Sequence, residues 1–247
     1  MSLLELDGID SYYGQSHILR DVSMRVEEGE ICALLGRNGA GKTTTLRSIA
    51  GARPPEVRDG SITFKGDDIT DMPTDDISMH GISMVPEERR IFGNLTVEEN
   101  LHVSDVALNA SNTWGRDITV EHEGQSLDQI QKDFPRLQER MNQLGGTLSG
   151  GEQQMLAIAR ALKQSTDLMM LDEPYEGLAP QIIQSVEDAV KRIRDDGTTV
   201  LLVEQNAMAA MKIADRCYVL DQGAVVFEGS AEELQDDQET RDRYLGV

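Results

Sequence analysis

The sequence predicts an α/β fold: a core with a mostly parallel sheet, an N-terminal antiparallel β subdomain and an inserted helical subdomain. Three observations carry this. Short apolar runs, each followed by polar residues, alternate with helix-like stretches, as strands covered on both faces do. The first and last strand-like stretches read instead as antiparallel pairs. Residues 97–147 have helix-forming stretches and few strand signals, so a helical unit interrupts the α/β pattern.

Taken in order, Leu3–Ile9 and Val22–Val26, together with Ser61–Phe64, are the exposed antiparallel strands. Ile31-Cys32-Ala33-Leu34-Leu35 is a buried strand leading into a glycine-rich segment, and Thr43–Ala50 is the helix after it, ended by Gly51. Ile82–Val85, Leu168–Leu171 and Thr199–Val203 are further buried strands. Val97–Leu108 and Leu127–Met141 form helices around the polar, poorly periodic Asn109–Glu123. Gln153–Leu162 is a helix. Gln181 to Asp195 carries Ile182, Ile183, Val186, Val190 and Ile193 at helical spacing, with Gly197 at its stop. Cys217–Leu220 and Ala224–Phe227 form a hairpin through Asp221-Gln222-Gly223. No repeat or low-complexity linker divides the chain, so residues 1–247 are one functional unit. Segments 1–96 and 148–247 make its α/β core, and 97–147 its helical subdomain.

Composition excludes several classes. Lys+Arg 23 against Asp+Glu 44 gives a net charge of −21, which repels phosphate backbones and argues against nucleic acid as a partner. Hydrophobic residues make up 39% at a mean hydropathy of −0.38, and no apolar run approaches the ~20 residues of a spanning helix. Met1-Ser2-Leu3-Leu4-Glu5 lacks a secretory n-region, so a secreted product is not expected. Cys32 and Cys217 are too few for a disulfide framework and read as reduced core thiols. The basic residues divide into 6 Lys and 17 Arg. Few lysines among so many acids suit a high-salt cytoplasm, where screening is almost complete. His17, His80, His102 and His122 are too scattered to hold a metal, and methionines such as Met169 and Met170 fill the core.

The chemistry begins at Gly36-Arg37-Asn38-Gly39-Ala40-Gly41-Lys42-Thr43, which matches G-x-x-x-x-G-K-[ST] between a strand and a helix. Backbone amides of such a loop, continued by Thr44, converge on phosphate oxygens, and the helix N-terminus adds positive potential. Lys42 neutralises the β- and γ-phosphates, and the Thr43 hydroxyl can ligate Mg²⁺. Asp172 ends a buried strand and is the expected Mg²⁺ partner; Glu173 beside it can act as general base on a water facing the γ-phosphate. A second anion cradle lies at Ser149-Gly150-Gly151-Glu152-Gln153, with Ser149 placed as an N-cap and Glu152 three residues on. One chain cannot easily use both cradles on one nucleotide. The economical arrangement is two chains head to tail, each presenting Ser149–Gln153 to the other's nucleotide.

These motifs, in this order and spacing and over nearly the whole chain, resemble those of the ATP-binding subunits of ABC transporters. The resemblance implies MgATP sandwiched at two composite sites, hydrolysis that opens the dimer, and a motion that drives a membrane permease. It also implies an aromatic stacked on adenine. Tyr13, 29 residues ahead of Lys42, is the candidate and Tyr12 the alternative. The finer resemblance is to the LivF type of branched-chain amino-acid transporter. Val85-Pro86-Glu87-Glu88-Arg89-Arg90-Ile91-Phe92, Leu95–Leu101, Phe134-Pro135-Arg136-Leu137, Gly177-Leu178-Ala179-Pro180 and Leu202-Val203-Glu204-Gln205-Asn206 carry it. The 109–123 stretch is longer than usual for that type.

Three positions depart from the wider family. Glu87 stands where a glutamine is usual, Gln205 where a switch histidine is usual, and Ala179 where the loop aspartate is usual. Gln205 can still donate to a γ-phosphate oxygen but cannot carry a proton. Glu87 can ligate Mg²⁺ while adding negative charge near the triphosphate. Arg89 and Arg90, with Ile91, Phe92 and Leu95, fall in the segment that the resemblance sets against a permease helix.

The function expected is therefore an ATPase subunit at the cytoplasmic face of the cell membrane, energising import of branched-chain or related amino acids. Its partners would be a companion ATPase or a second copy, two permease subunits and, indirectly, an external solute-binding protein. A urea or amide importer is the nearest rival. A soluble ABC ATPase outside transport and a weakly hydrolysing regulatory subunit are the others.

Overall fold

The computed structural model describes residues 2–104, 124–164 and 166–247. The polar stretch Asn109–Glu123 with His122, and the end of the helix expected over Val97–Leu108, lie outside the described residues. The elements run β1 (Ser2–Tyr13), β2 (Ser16–Glu27), β3 (Ile31–Leu35), α1 (Lys42–Ile49), β4 (Glu56–Phe64), β5 (Asp67–Asp68), α2 (Thr74–Met79) and β6 (Ile82–Val85). Helical residues 97–104 form α3. Then follow α4 (Leu127–Asp133), α5 (Pro135–Gln138), α6 (Gly150–Leu162), β7 (Leu168–Asp172), α7 (Pro180–Asp195), β8 (Thr199–Glu204), α8 (Ala207–Ala210), β9 (Arg216–Asp221), β10 (Ala224–Ser230) and α9 (Ala231–Asp236).

Two sheets form. The antiparallel one has the order β2-β1-β4-β5, and the other β10-β9-β3-β8-β7-β6, parallel apart from the edge strand β10. The continuous apolar runs are explained by burial on both faces. In β3, Ile31, Ala33 and Leu35 face one core and Cys32 and Leu34 the other; Met169 and Leu171 of β7 alternate with Leu168 and Met170 in the same way. The first core lies against α6 and α7, and the second against the antiparallel sheet. Each fully buried Leu or Ile contributes roughly 1.5–3 kcal/mol, so the doubly covered strands are the rigid frame from which the loops project. Cys32 and Cys217 are buried on opposite faces, and burial raises both thiols, that of Cys217 to about 12.

Local chemistry accounts for the departures from sequence expectation. The helix expected over Leu127–Met141 breaks at Phe134 (φ −122°, ψ 66°), because Pro135 excludes the helical region for the residue before it and opens α5 instead. The helix expected from Gln153 starts earlier, at Gly150, since Ser149 caps it. The β9–β10 turn has positive φ at both Gln222 (47°) and Gly223 (83°), the backbone of a tight twisted hairpin.

Candidate active site

Four adjacent parallel strands, in the order β3-β8-β7-β6, end at the same sheet edge. β3 delivers the loop Gly36–Gly41, β8 delivers Gln205, β7 delivers Asp172 and Glu173, and β6 leads to Glu87. Pairing of Leu35 with Glu204 and of Asp172 with Val203 fixes the register of these ends. Ligands of open α/β sheets bind outside such carboxyl ends.

The glycine loop is packed against the β9–β10 hairpin. A Cβ on Gly36 would sit 2.4 Å from the Leu220 carbonyl oxygen, so only glycine fits there. Gly41, at φ 114°, caps α1 in a left-handed conformation, and the first helical donors, on Lys42, Thr43 and Thr44, point out of the helix end without intrahelical acceptors. Arg37, Asn38 and Gly39 are exposed and Ala40 is buried.

Lys42 is 4% exposed, and its Nζ donates to the Gly36 carbonyl (2.9 Å) and lies 3.1 Å from Glu173 Oε1. Thr43 Oγ1 donates to Asp172 Oδ1 at 3.4 Å, joining two hard oxygen donors from different elements. That pair suits Mg²⁺, which takes one or two protein oxygens and fills its octahedron with phosphate oxygens and water. Burial first, and then the neighbouring Glu173 charge, push the Asp172 carboxyl up to about 6. Glu87 shares a hydrogen bond with Glu176, which with partial burial and the surrounding carboxylates raises it to about 6. Glu173 itself has φ +47°, a strained conformation for a non-glycine residue worth about 1–3 kcal/mol, which persists only when its surroundings hold it.

The second cradle is a capping box. Glu152 N–H donates to Ser149 Oγ (3.4 Å), and Ser149 N–H donates to Glu152 Oε2 (2.9 Å). Glu152 also accepts from the Ser149 hydroxyl (2.7 Å) and pairs with Arg140 (2.6 Å). Ser149 and Gly150 are exposed, Gly151 is buried, and Glu152 and Gln153 are half-buried. Among the described residues no hydrogen bond or ion pair joins Ser149–Gln153 to Gly36–Thr44. Tyr13 ends β1 half-buried. Tyr12 is engaged: its ring stacks on His17 at 4.3 Å, with the Arg58 guanidinium 4.5 Å from its centroid.

Arg89, in the segment expected to meet a permease, is also bonded within the chain. Its guanidinium donates to Gln154 Oε1 on α6 (3.1 Å) and to the Glu176 carbonyl (3.3 Å). It therefore links the helix of the second cradle to the loop after Glu173. Glu204, given no site role in the sequence analysis, is 2% exposed at the end of β8, and burial above all pushes its carboxyl up to about 7. The rule that singled out Asp172, an acid closing an apolar strand, applies equally to Glu204.

The family pattern described as ABC transporter matches residues 19–176, from β2 through the Asp172-Glu173 pair. The chain belongs to the ABC transporter family. It is 45% identical over 99% of its length, and all of the other chain, to the high-affinity branched-chain amino acid transport ATP-binding protein BraG of Pseudomonas aeruginosa. It is 36% identical to the probable branched-chain amino acid transport ATP-binding protein LivF of Archaeoglobus fulgidus, covering 97% of each chain. The lipopolysaccharide export system ATP-binding protein LptB of Haemophilus influenzae is 32% identical, covering 100% of this chain and 98% of that one. Among solved structures, the ADP conformation of an ATP-binding cassette of an ABC transporter superposes with a TM-score of 0.80 at 26% identity, covering 97% and 96% of the two chains. As an ABC cassette the chain binds and hydrolyses ATP, and among its described residues no helix is long and apolar enough to cross a membrane.

Proposed function

We propose that this cassette energises import of branched-chain or related amino acids from the cytoplasmic face of the cell membrane. Two permease subunits and an external solute-binding protein would complete the transporter. Whole-length likeness to BraG, a subunit named for that transport, is the observation that carries the substrate class. Urea or a short amide is the rival cargo.

The proposed chemistry follows from the four strand ends. The amides of Gly39, Ala40, Gly41, Lys42, Thr43 and Thr44, with Arg37 and Asn38 beside them, would cradle the phosphates, and Tyr13 would stack on adenine. Thr43 and Asp172 would hold Mg²⁺, with Glu87 as a further oxygen donor. The ion, when bound, would neutralise charge on the triphosphate. Lys42 would leave Glu173 for the γ-phosphate, and Glu173, so released, would orient and deprotonate the attacking water. Gln205 would donate to a γ-phosphate oxygen. Ser149, Gly150 and Gly151, held by Glu152 and Gln153, would close on the nucleotide of a facing cassette, either a second copy or a companion ATPase. With a companion that carries the usual Gln and His, the site on this chain's own loop would be the slower of two. The net charge of −21 supports a working environment of high salt.

Co-purification from solubilised membranes tests the assembly, and uptake into vesicles reconstituted with the resulting complex tests the cargo. ATP-dependent accumulation of labelled leucine, outcompeted by isoleucine and valine, is expected. Accumulation of urea with no leucine uptake would transfer the assignment to the rival.

A further inference from the structure

The two oxygens of Glu204 serve two different loops. One accepts from the Tyr175 N–H at 2.9 Å, two residues past Glu173, and the other from the Asn206 N–H at 3.2 Å, one residue past Gln205. The main chain of Glu173 is tied to the same strand, its N–H donating to the Val203 carbonyl at 2.8 Å. Tyr175 is anchored from its other side, since its ring is buried in the core that packs on α6 and α7.

We propose that Glu204 is a positioning residue for hydrolysis. Its carboxylate fastens the Pro174-Tyr175 turn to the Gln205-Asn206 turn, and so sets where Glu173 and Gln205 stand relative to the γ-phosphate. The residue type fits the task. Thr199–Val203 is otherwise a buried run suited to an apolar end, and a buried carboxylate is unfavourable unless N–H groups satisfy it. A carboxylate offers acceptors in both directions, whereas an amide would turn an NH₂ toward one of the two N–H donors. The left-handed backbone at Glu173 needs such outside support, because a non-glycine residue is strained there. Glu204 touches neither nucleotide nor water in this role; it acts through the two loops.

This rests on the hydrolytic reading of the site, and the test separates the two. In the full chain, Glu204→Gln is nearly isosteric and removes one acceptor. We expect kcat to fall by about tenfold or more, since small misplacements of catalytic groups are costly. KM and Kd for MgATP should stay within about twofold. Hydrogen exchange at the Tyr175 and Asn206 amides should quicken while β3 and β7 keep their protection, and Glu204→Asp, which restores both acceptors, should recover part of kcat. A folded Glu204→Gln chain with unchanged kcat would overturn the proposal, as would equal losses in kcat and nucleotide binding. If Glu204→Gln and Glu204→Met both fail to fold, exchange in the wild-type chain decides. Tyr175 and Asn206 amides as protected as their strand neighbours support the tie, and amides as open as the exposed loops refute it. Absence of wild-type turnover would instead count against the hydrolytic reading, and the same exchange measurement would still judge Glu204.

Discussion

Lys42 Nζ and Glu173 Oε1 lie 3.1 Å apart, so the proposed phosphate-binding cation and the proposed general base occupy each other. In the proposed mechanism, triphosphate takes the lysine away before the carboxylate addresses water. Removing the carboxylate charge should then favour ATP while abolishing its hydrolysis. Glu173→Gln is expected to tighten MgATP binding severalfold and to cut single-turnover hydrolysis by roughly 10²–10⁴. Lys42→Ala should lose nucleotide binding. Calorimetric titration and rapid-quench kinetics measure both, and weaker MgATP binding by Glu173→Gln would contradict the exchange of partners.

The two neighbouring tyrosines should separate cleanly. Tyr12 is held between His17 and Arg58, whereas Tyr13 has no such ring contacts among the described residues. Base stacking is worth roughly 1–3 kcal/mol, so Tyr13→Ala should raise KM for ATP about tenfold with kcat little changed. Tyr12→Ala should lower the melting temperature and leave KM alone. The reverse assignment of effects would make Tyr12 the adenine contact.

Stability should depend on pH through the buried acids of the site. Asp172 and Glu204 are raised from 3.8 to about 6 and from 4.5 to about 7. As pH climbs through that window the unfolded chain has already released these protons while the folded chain still binds them, so folding weakens with rising pH and levels off above the folded values. Asp10 and Asp68, held down by hydrogen bonds from the Asp21 N–H and the Thr70 hydroxyl, act the other way, only as pH falls below the ordinary carboxylate range. Urea midpoints of the nucleotide-free chain in molar salt should therefore be higher at pH 5 than at pH 8. MgATP should reverse the Asp172 share, because a cation favours the ionised carboxylate. A midpoint that rises steadily from pH 5 to pH 8 would contradict the burial of these charges.

The surplus of acid should make the fold salt-dependent. With Asp+Glu 44 against Lys+Arg 23, self-repulsion opposes the compact state until it is screened. The melting temperature should climb as KCl goes from dilute to molar. A flat or falling curve would remove high-salt adaptation from the account.

Most of the frame was legible because burial on both faces writes long apolar runs, and because the loop between β3 and α1 has a spacing that few other tasks demand. Strand β8 shows where legibility stopped. Its apolar residues announced it, yet Glu204 was read as the polar residue after a strand, since sequence alone does not say which main-chain amides will meet a carboxylate. The inward partners of Arg89 were hidden for a similar reason: Gln154 and the Glu176 carbonyl are 65 and 87 residues away. The break at Phe134 was available from Pro135 alone but lost to a periodicity that ran through it. The helix α2 over Thr74–Met79 escaped notice because at six residues it presents a single buried side chain, Ile77, and so no repeat.

The central claim is that ATP is completed as a ligand by two cassettes, the loop Gly36–Thr44 of one and Ser149–Gly151 of the other. Cysteines placed at Gly39 and Ser149 of a Glu173→Gln chain test it most directly, because the native Cys32 and Cys217 are buried and will not compete. With MgATP the account predicts a rapidly formed disulfide joining Cys at position 39 of one chain to Cys at position 149 of another, and little of it with ADP or none added. Cross-linking that ignores nucleotide, or none with MgATP at a protein concentration where the chain is dimeric by sedimentation, would contradict it.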